Sequence, residues 1–301
     1  VDDTFWSLSF PIFMQQLVSG LALGCVYGLI ALGYSFLFNA TGIINLAQGS
    51  FVMVGAYIYG VECTNRLKLP FYASLPVLIV SMAIFGMLCE RLFYRPFKRA
   101  HLRTLLVSLV ALGMLIGNLA LIIWSPYPQG TRGIYGQEII VISHITILKQ
   151  SIFILIMTVL LLSLQRWLFN RTMAGKIMRA VALDKDTASL MGIDTDFTIS
   201  CIFAYSSILG GIAGLLVAPI FSIDPTLQMI GFKGFGACVI GSFTNLTGAM
   251  IGGLILGIVE TMSAAYVSSL YKDAIAYAVI IAFLIFRPEG LFGQKRETGG
   301  L

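Results

Sequence analysis

Glu260 sits in GGLILGIVETMSAAYV, a run that is otherwise apolar or small. In its charged form a carboxylate at the centre of a lipid-embedded helix costs about 2.5–3.5 kcal/mol. It must therefore face protein and be hydrogen-bonded or protonated there. Two chemistries follow: coupling of an ion along a pathway, or a structural bond to a neighbouring helix. Lys233 lies in DPTLQMIGFKGFGACVIGSF, residues 224–243. It either belongs to such a pathway or snorkels its ammonium to an interface. A third set lies in NATGIINLAQGSFVMVGAY, residues 39–57. Asn45 and Gln48 are three apart and share a helix face, with Gly49 and Ser50 beside them. Such residues either line a polar path or join closely packed helices. Asn45, Gln48, Gly49, Ser50, Lys233 and Glu260 are thus the candidates for a translocation path. Glu90 stands next to Arg91 at the end of an apolar run and reads as a local interface charge.

Ordinary enzymatic chemistry has little to stand on. AGKI at 174–177 lacks the first glycine and the hydroxyl residue of a phosphate-binding loop, so ATP is not expected in this chain. The two histidines, His101 and His144, fall in loops, and no nucleophile–base pair or metal cluster is evident. Cys25, Cys63, Cys89, Cys201 and Cys238 show no paired spacing and read as small packing residues. No cofactor is expected in the chain itself.

The elements that must hold these residues are set by solvent. Hydrophobic residues make up 58% of the 301 and charged residues 11%, with mean hydropathy +0.91. That much apolar surface requires lipid. Nine apolar segments are legible, at about 10–38, 43–62, 70–94, 104–124, 146–169, 197–221, 226–243, 247–267 and 272–287. Their length and lack of strict alternation give an all-α polytopic membrane protein with about 8–9 transmembrane helices in one domain, 1–301. The first segment is long enough to tilt or to bend near Gly20 and Gly24. The seventh, opened by Asp224-Pro225, reads as a short or discontinuous helix. VDDTFWSLSF has no basic region of the kind that opens a cleavable signal peptide.

Net charge is +5. Its distribution is an orientation signal and does not point to nucleic acid. With the N-terminus outside, thirteen of the 19 Lys and Arg fall on the inward side and five on the outward side. This places 170–196 and the C-terminus in the cytoplasm, and 125–145 outside. The cytoplasmic stretch MRAVALDKDTASLMGIDTD, 178–196, is polar and patterned. Asp184 or Asp186 can cap a helix start. Leu183, Thr187, Leu190 and Met191 fall on one face, and Gly192 suits a left-handed stop. Asp194 or Asp196 can cap the next span. A helix of two or three turns follows, serving either as a linker or as a docking element.

Several blocks together carry a family resemblance. GLALGCVYGLIALGYSFLFNATGIINLAQGSFVMVGAY at 20–57, GAMIGGLILGIVETMSAAYVSSLYKD at 248–273 and RPEGLFG at 287–293 resemble the permease subunits of branched-chain amino-acid ABC importers, relatives of which serve urea and short amides. Permeases of ABC importers carry an EAA-x3-G coupling loop. Here Asp186, Thr187, Ala188 and Gly192 stand at that spacing, with an acid, a small residue and the glycine but without Glu-Ala at the start. The resemblance implies an ABC importer permease fold. It also implies ATPase coupling through Leu183, Asp184, Asp186, Thr187, Ala188, Leu190, Met191 and Gly192. The implied partners are a paralogous permease, two cytoplasmic ATPases that bind ATP and Mg, and an extracytoplasmic substrate-binding protein. The implied location is the bacterial plasma membrane. Against this stand an ion-coupled secondary transporter using Glu260 and a passive channel. Neither of these needs a docking helix.

Overall fold

The computed structural model describes residues 2–98, 100–131, 133, 135, 138–142 and 145–293, so His144 falls outside the described residues. Eleven α-helices follow in order: α1 Asp2–Thr41, α2 Gln48–Ala56, α3 Phe71–Cys89, α4 Leu102–Trp124, α5 Lys149–Arg171, α6 Met173–Leu183, α7 Lys185–Leu190, α8 Thr195–Val217, α9 Ile230–Gly241, α10 Leu246–Tyr266 and α11 Lys272–Phe286. π-Helical turns extend α2 over Tyr57–Arg66 and α3 over Glu90–Tyr94, and a 3-10 turn, Pro225–Met229, leads into α9. Among the described residues six helices are long and apolar enough to cross a membrane: Pro11–Thr41, Phe71–Phe97, Leu102–Trp124, Lys149–Arg171, Thr195–Val217 and Leu246–Tyr266. The other three apolar segments hold α2, α9 and α11.

α1 is the axis of the bundle. Every residue from Gly24 to Leu37 is buried, as expected of a helix that is apolar all round. It runs as unbroken helix through Gly20 and Gly24. Those glycines serve contact with α10: a Cβ on Gly24 would lie 2.7 Å from the Leu254 backbone, and one on Gly257 would strike the backbone of Gly24. Between helices already surrounded by apolar chains, such close approach supplies van der Waals contact that lipid cannot match. α8 is a second buried element, packed on α1, α2 and α3. α3, α4, α5 and α11 lie outside and turn apolar faces outward. Val107, Met114 and Ile122 of α4 are 67%, 66% and 80% exposed, which is the composition of a surface facing lipid or another apolar chain.

α2 and α9 both begin inside the bundle. Residues 42–47 leave the end of α1 as non-helical chain, exposed at Gly42 and buried at Asn45 and Ala47. α2 then starts with Gln48 beside Gly33, eight residues or about 12 Å back along α1. The start of α9 comes down to meet it, so that Gly49 and Gly231 touch backbone to backbone. Irregular backbone at this depth is tolerated because protein, not lipid, surrounds it.

The two ends of the bundle differ. One end gathers 91–98, 166–196, 240–247 and 287–293, linked by Lys98–Asp196 (2.6 Å) and by the amide of Leu291 donating to Ile240 O (2.8 Å). The other end holds 60–66, 124–131 and 218–229, joined by an antiparallel bridge between Gln129 and Ile223 and by Asn65 donating to Gly130 O. Before α5, β1, Ile139–Ile142, pairs antiparallel with β2, Ile145–Leu148. The fifth helix therefore starts at Lys149, not 146. Four consecutive apolar residues at 145–148 read equally as a strand or as the start of a span, and periodicity alone does not separate them.

The α1–α10 contact makes a prediction. Gly257→Val should lower the unfolding midpoint of the purified protein, at a cost of about 1–3 kcal/mol from overpacking. Gly130→Ala, where a Cβ meets nothing within 4 Å, should leave the midpoint unchanged. Equal midpoints for the two variants would remove the glycine contact from the account of stability.

Candidate functional site

The ionisable candidates come together. Lys233 Nζ lies 2.6 Å from Glu260 Oε1 and 2.7 Å from Asp273 Oδ1. The Tyr27 hydroxyl donates to Glu260 Oε2 at 2.7 Å, and Lys233 Nζ stands 5.7 Å from the centre of the Tyr27 ring. Glu260 is 2% exposed. Four helices meet here: α1 supplies Tyr27, α9 Lys233, α10 Glu260 and α11 Asp273. Glu260 stands six residues before the end of α10, about 9 Å from it, and Asp273 opens α11 with its side chain 55% exposed. The cluster therefore reaches from the rim at the 60–66 end into the bundle. Glu260 has its counter-charge within the chain. Lys233 does not snorkel, because it is held between two carboxylates. Tyr27 and Asp273 were not foreseen. A lone tyrosine in an apolar helix and an acid in a helix's first turn carry no signal of mutual contact.

The second group joins helices. Gln48 Nε2 donates to Ser206 O at 3.1 Å, and the Ser206 hydroxyl lies 3.0 Å from Gln48 Oε1 and 2.9 Å from Gly33 O. Three elements are tied by one amide and one hydroxyl. Ser50 Oγ lies 3.3 Å from Gly113 O and 3.4 Å from Gln228 Oε1, linking α2 to α4 and to the turn before α9. Gly49 admits the Gln228 backbone, where a side chain would collide. Asn45 accepts from its own neighbour, Ala47 N, at 3.2 Å, while its Nδ2 is buried without a partner. Gln48 and Ser50 thus bond to different partners; Asn45 precedes α2 and so does not share a helix face with Gln48.

Glu90 departs from expectation. It is 2% exposed and accepts a hydrogen bond from Ser200 Oγ at 2.7 Å, whereas Arg91 points outward. It is a bond between α3's extension and α8. Sequence adjacency to Arg91 is no guide here, because neighbours one apart on a helix do not face each other.

At the opposite end from the ion cluster, the stretch 178–196 forms two helices, not one. Asp184 separates them: it ends α6 and caps α7, accepting from Asp186 N at 2.9 Å and Thr187 N at 3.2 Å. The Thr187 hydroxyl, followed by these two amides, holds the Asp184 carboxyl below its usual range. A lowered folded value means that the cap stabilises at neutral pH and is lost as pH falls through that value. Gly192 takes φ +81°, and Asp194 caps α8 through Phe197 N. Ala188 is buried, whereas Leu183, Leu190 and Met191 are 88%, 89% and 78% exposed. The apolar residues expected to share a face are bare. Lys185 instead fixes α7 to the 91–98 segment, donating to Tyr94 O–H at 3.3 Å. Burial, then the charge of Lys98, lowers its pKa.

Among the described residues no group of three His, Cys, Asp or Glu is placed to hold a metal. Membrane-length helices, two helices that begin inside the bundle and a capped polar helix at the cation-rich end define a multi-pass permease domain. Residues 16–284 match the family described as branched-chain amino acid transport system / permease component, and the chain belongs to that family. It is 32% identical to the high-affinity branched-chain amino acid transport system permease protein LivH of Escherichia coli K12, covering 96% of this chain and 98% of that protein. It is 29% identical to the permease protein BraD of Pseudomonas aeruginosa, covering 94% and 96%. The structure of PsaBC from Streptococcus pneumoniae in complex with Fab aligns over 91% of this chain and 92% of that one, at 13% identity and a TM-score of 0.49. Likeness of that degree assigns nothing to individual residues.

The cluster carries its own test. Lys233→Met leaves Glu260 buried without its cation and should cost about 3–5 kcal/mol, read as a lowered unfolding midpoint. Lys233→Met with Glu260→Met should recover most of the loss. A double variant no better than the single one would show that the pair is not coupled.

Proposed function

We propose that this chain is a permease subunit of an ATP-driven importer of branched-chain amino acids, working by alternating access in a bacterial plasma membrane. It would pair with a paralogous permease. Two cytoplasmic ATPases would bind ATP and Mg, and an extracytoplasmic binding protein would deliver the solute. The N-terminus would lie outside and the C-terminus inside, so that the end holding 166–196 faces the ATPases. Family membership supports the class. The observation that carries the coupling is α7: it is capped at both ends, tied down by Lys185, and leaves Leu190 and Met191 bare beside Leu183. Three large apolar side chains left uncovered on an ordered segment suit a protein partner.

In this reading Leu183, Leu190 and Met191 enter the ATPase surface. Asp184, Asp186, Thr187, Ala188 and Gly192 set the helix that presents them. Gln48, Gly49, Ser50 and Asn45 lie where α2 and α9 begin, and these short helices are the elements that reorient during transport. Lys233 and Glu260 hold α9 against α10 and α11. An ion-coupled secondary transporter using Glu260 is the weaker reading, since that carboxylate is already paired with Lys233.

Two experiments test this. Gly192→Val puts a β-branched residue at φ +81°, at a cost of about 1–2 kcal/mol. The expected outcome is normal insertion with ATP hydrolysis retained and leucine uptake reduced at least tenfold in the reconstituted importer. Normal coupled uptake would take α7 out of the mechanism. Ser189→Cys, at an exposed position, should react in intact cells only with membrane-permeant maleimides. Labelling by an impermeant one would reverse the orientation.

A further inference from the structure

The cation-rich end contains a groove that shares only Leu183 with the docking residues above. Its volume is about 680 Å³. α1 forms the floor with Leu32, Phe36 and Asn39. α5 and α10 form the walls, and α6 closes the end with Met178 and Arg179. Leu32 stands nine residues before the end of α1, so the groove reaches about 14 Å into the bundle. Its depth is apolar. Arg166 and Arg179 stand at the polar end, and no carboxylate lines it among the described residues. Neither arginine forms an ion pair within the described residues; Arg179 donates to the neutral Asn170 Oδ1 at 3.2 Å. Gln165 is 8% exposed, lines the same groove, and has a buried Oε1 that no donor reaches.

We propose that this groove binds a phosphoglycerol lipid of the adjacent leaflet. Three features select it. The long apolar trough matches acyl chain. Two unpaired arginines beside it match a phosphate, the arrangement by which basic pockets between transmembrane helices hold anionic headgroups. The orphaned Gln165 Oε1 matches a hydroxyl, which a glycerol headgroup supplies and a choline headgroup does not. An amino acid fits less well, since its ammonium finds no carboxylate among the lining residues. The lipid would lie against Met178 and Arg179 of α6, the helix that leads directly into α7. It would thereby brace the base of the docking segment. The site stands on the membrane fold alone and does not depend on which solute is transported.

The test uses the purified chain in neutral detergent, titrated with phosphatidylglycerol, phosphatidylcholine or inorganic phosphate. The unfolding midpoint and lipid adducts in native mass spectrometry are recorded. Phosphatidylglycerol should raise the midpoint and be retained as an adduct, while phosphatidylcholine and inorganic phosphate should do neither. Arg166→Ala and Arg179→Ala should each weaken the titration about fivefold. Thr247→Trp, which fills the mouth and keeps both arginines, should abolish the adduct. Equal shifts with phosphatidylcholine, a shift with phosphate alone, or an undiminished adduct in the Thr247→Trp protein would each overturn the assignment. Solute uptake is not a readout, so failure here leaves the importer reading standing.

Discussion

Everything in this molecule is arranged around the backbone-to-backbone approach of α1 and α10. A chain whose outer helices face lipid gains little from burying one leucine against another, because lipid tails are as apolar as leucine. Contact area and polar bonds must supply the difference. Gly24 and Gly257 let two helix axes come close enough for their backbones to touch. Once α1 is fixed, it offers Tyr27 to the ion cluster, Gly33 O to Ser206, and Leu32 and Phe36 to the groove. One helix, buried on all sides, thus serves as the reference from which the other functional parts are placed.

The second constraint is that the surrounding hydrocarbon offers polar groups no hydrogen bonds. The ion cluster meets it by bringing one ammonium between two carboxylates and adding a phenol. Gln48 meets it by donating to the Ser206 carbonyl and accepting from the Ser206 hydroxyl. In both places the polar group lies near the start of a helix that begins inside the bundle. α9 is held at Lys233 and α2 at Gln48. Such bonds are directional, so they fix position as well as depth. They can also be exchanged for others when a helix moves, which apolar packing does less cleanly.

Sequence reasoning reached the class of fold because the solvent writes itself into composition over every apolar run. It reached the short seventh segment through Asp224-Pro225, and the caps of α7 and α8 through residue types whose local geometry needs no tertiary contact. It did not reach Tyr27, Asp273, Ser206 or Ser200, whose roles come from partners 40 to 233 residues away. Glu90 was misjudged for the same reason: its partner is across the bundle and not beside it in the chain. β2, Ile145–Leu148, reads in part as membrane because short apolar runs fit both. The exposure of Leu190 and Met191 was equally hidden, since an apolar face at helical spacing does not say whether it is covered.

The reciprocal bond between Gln48 and Ser206 has a consequence for synthesis. The two residues are 158 positions apart. At about 5–20 residues per second, roughly 8–30 s separate the emergence of α2 from that of its partner. During that interval a primary amide near the start of α2 must wait without the bond that later holds it. α2 then cannot reach its final place when it leaves the ribosome. It has to be sheltered, at the insertion machinery or at the interface, until α8 arrives. Membrane insertion of this chain is therefore not a sequence of independent spans but a process whose early part is completed by its later one.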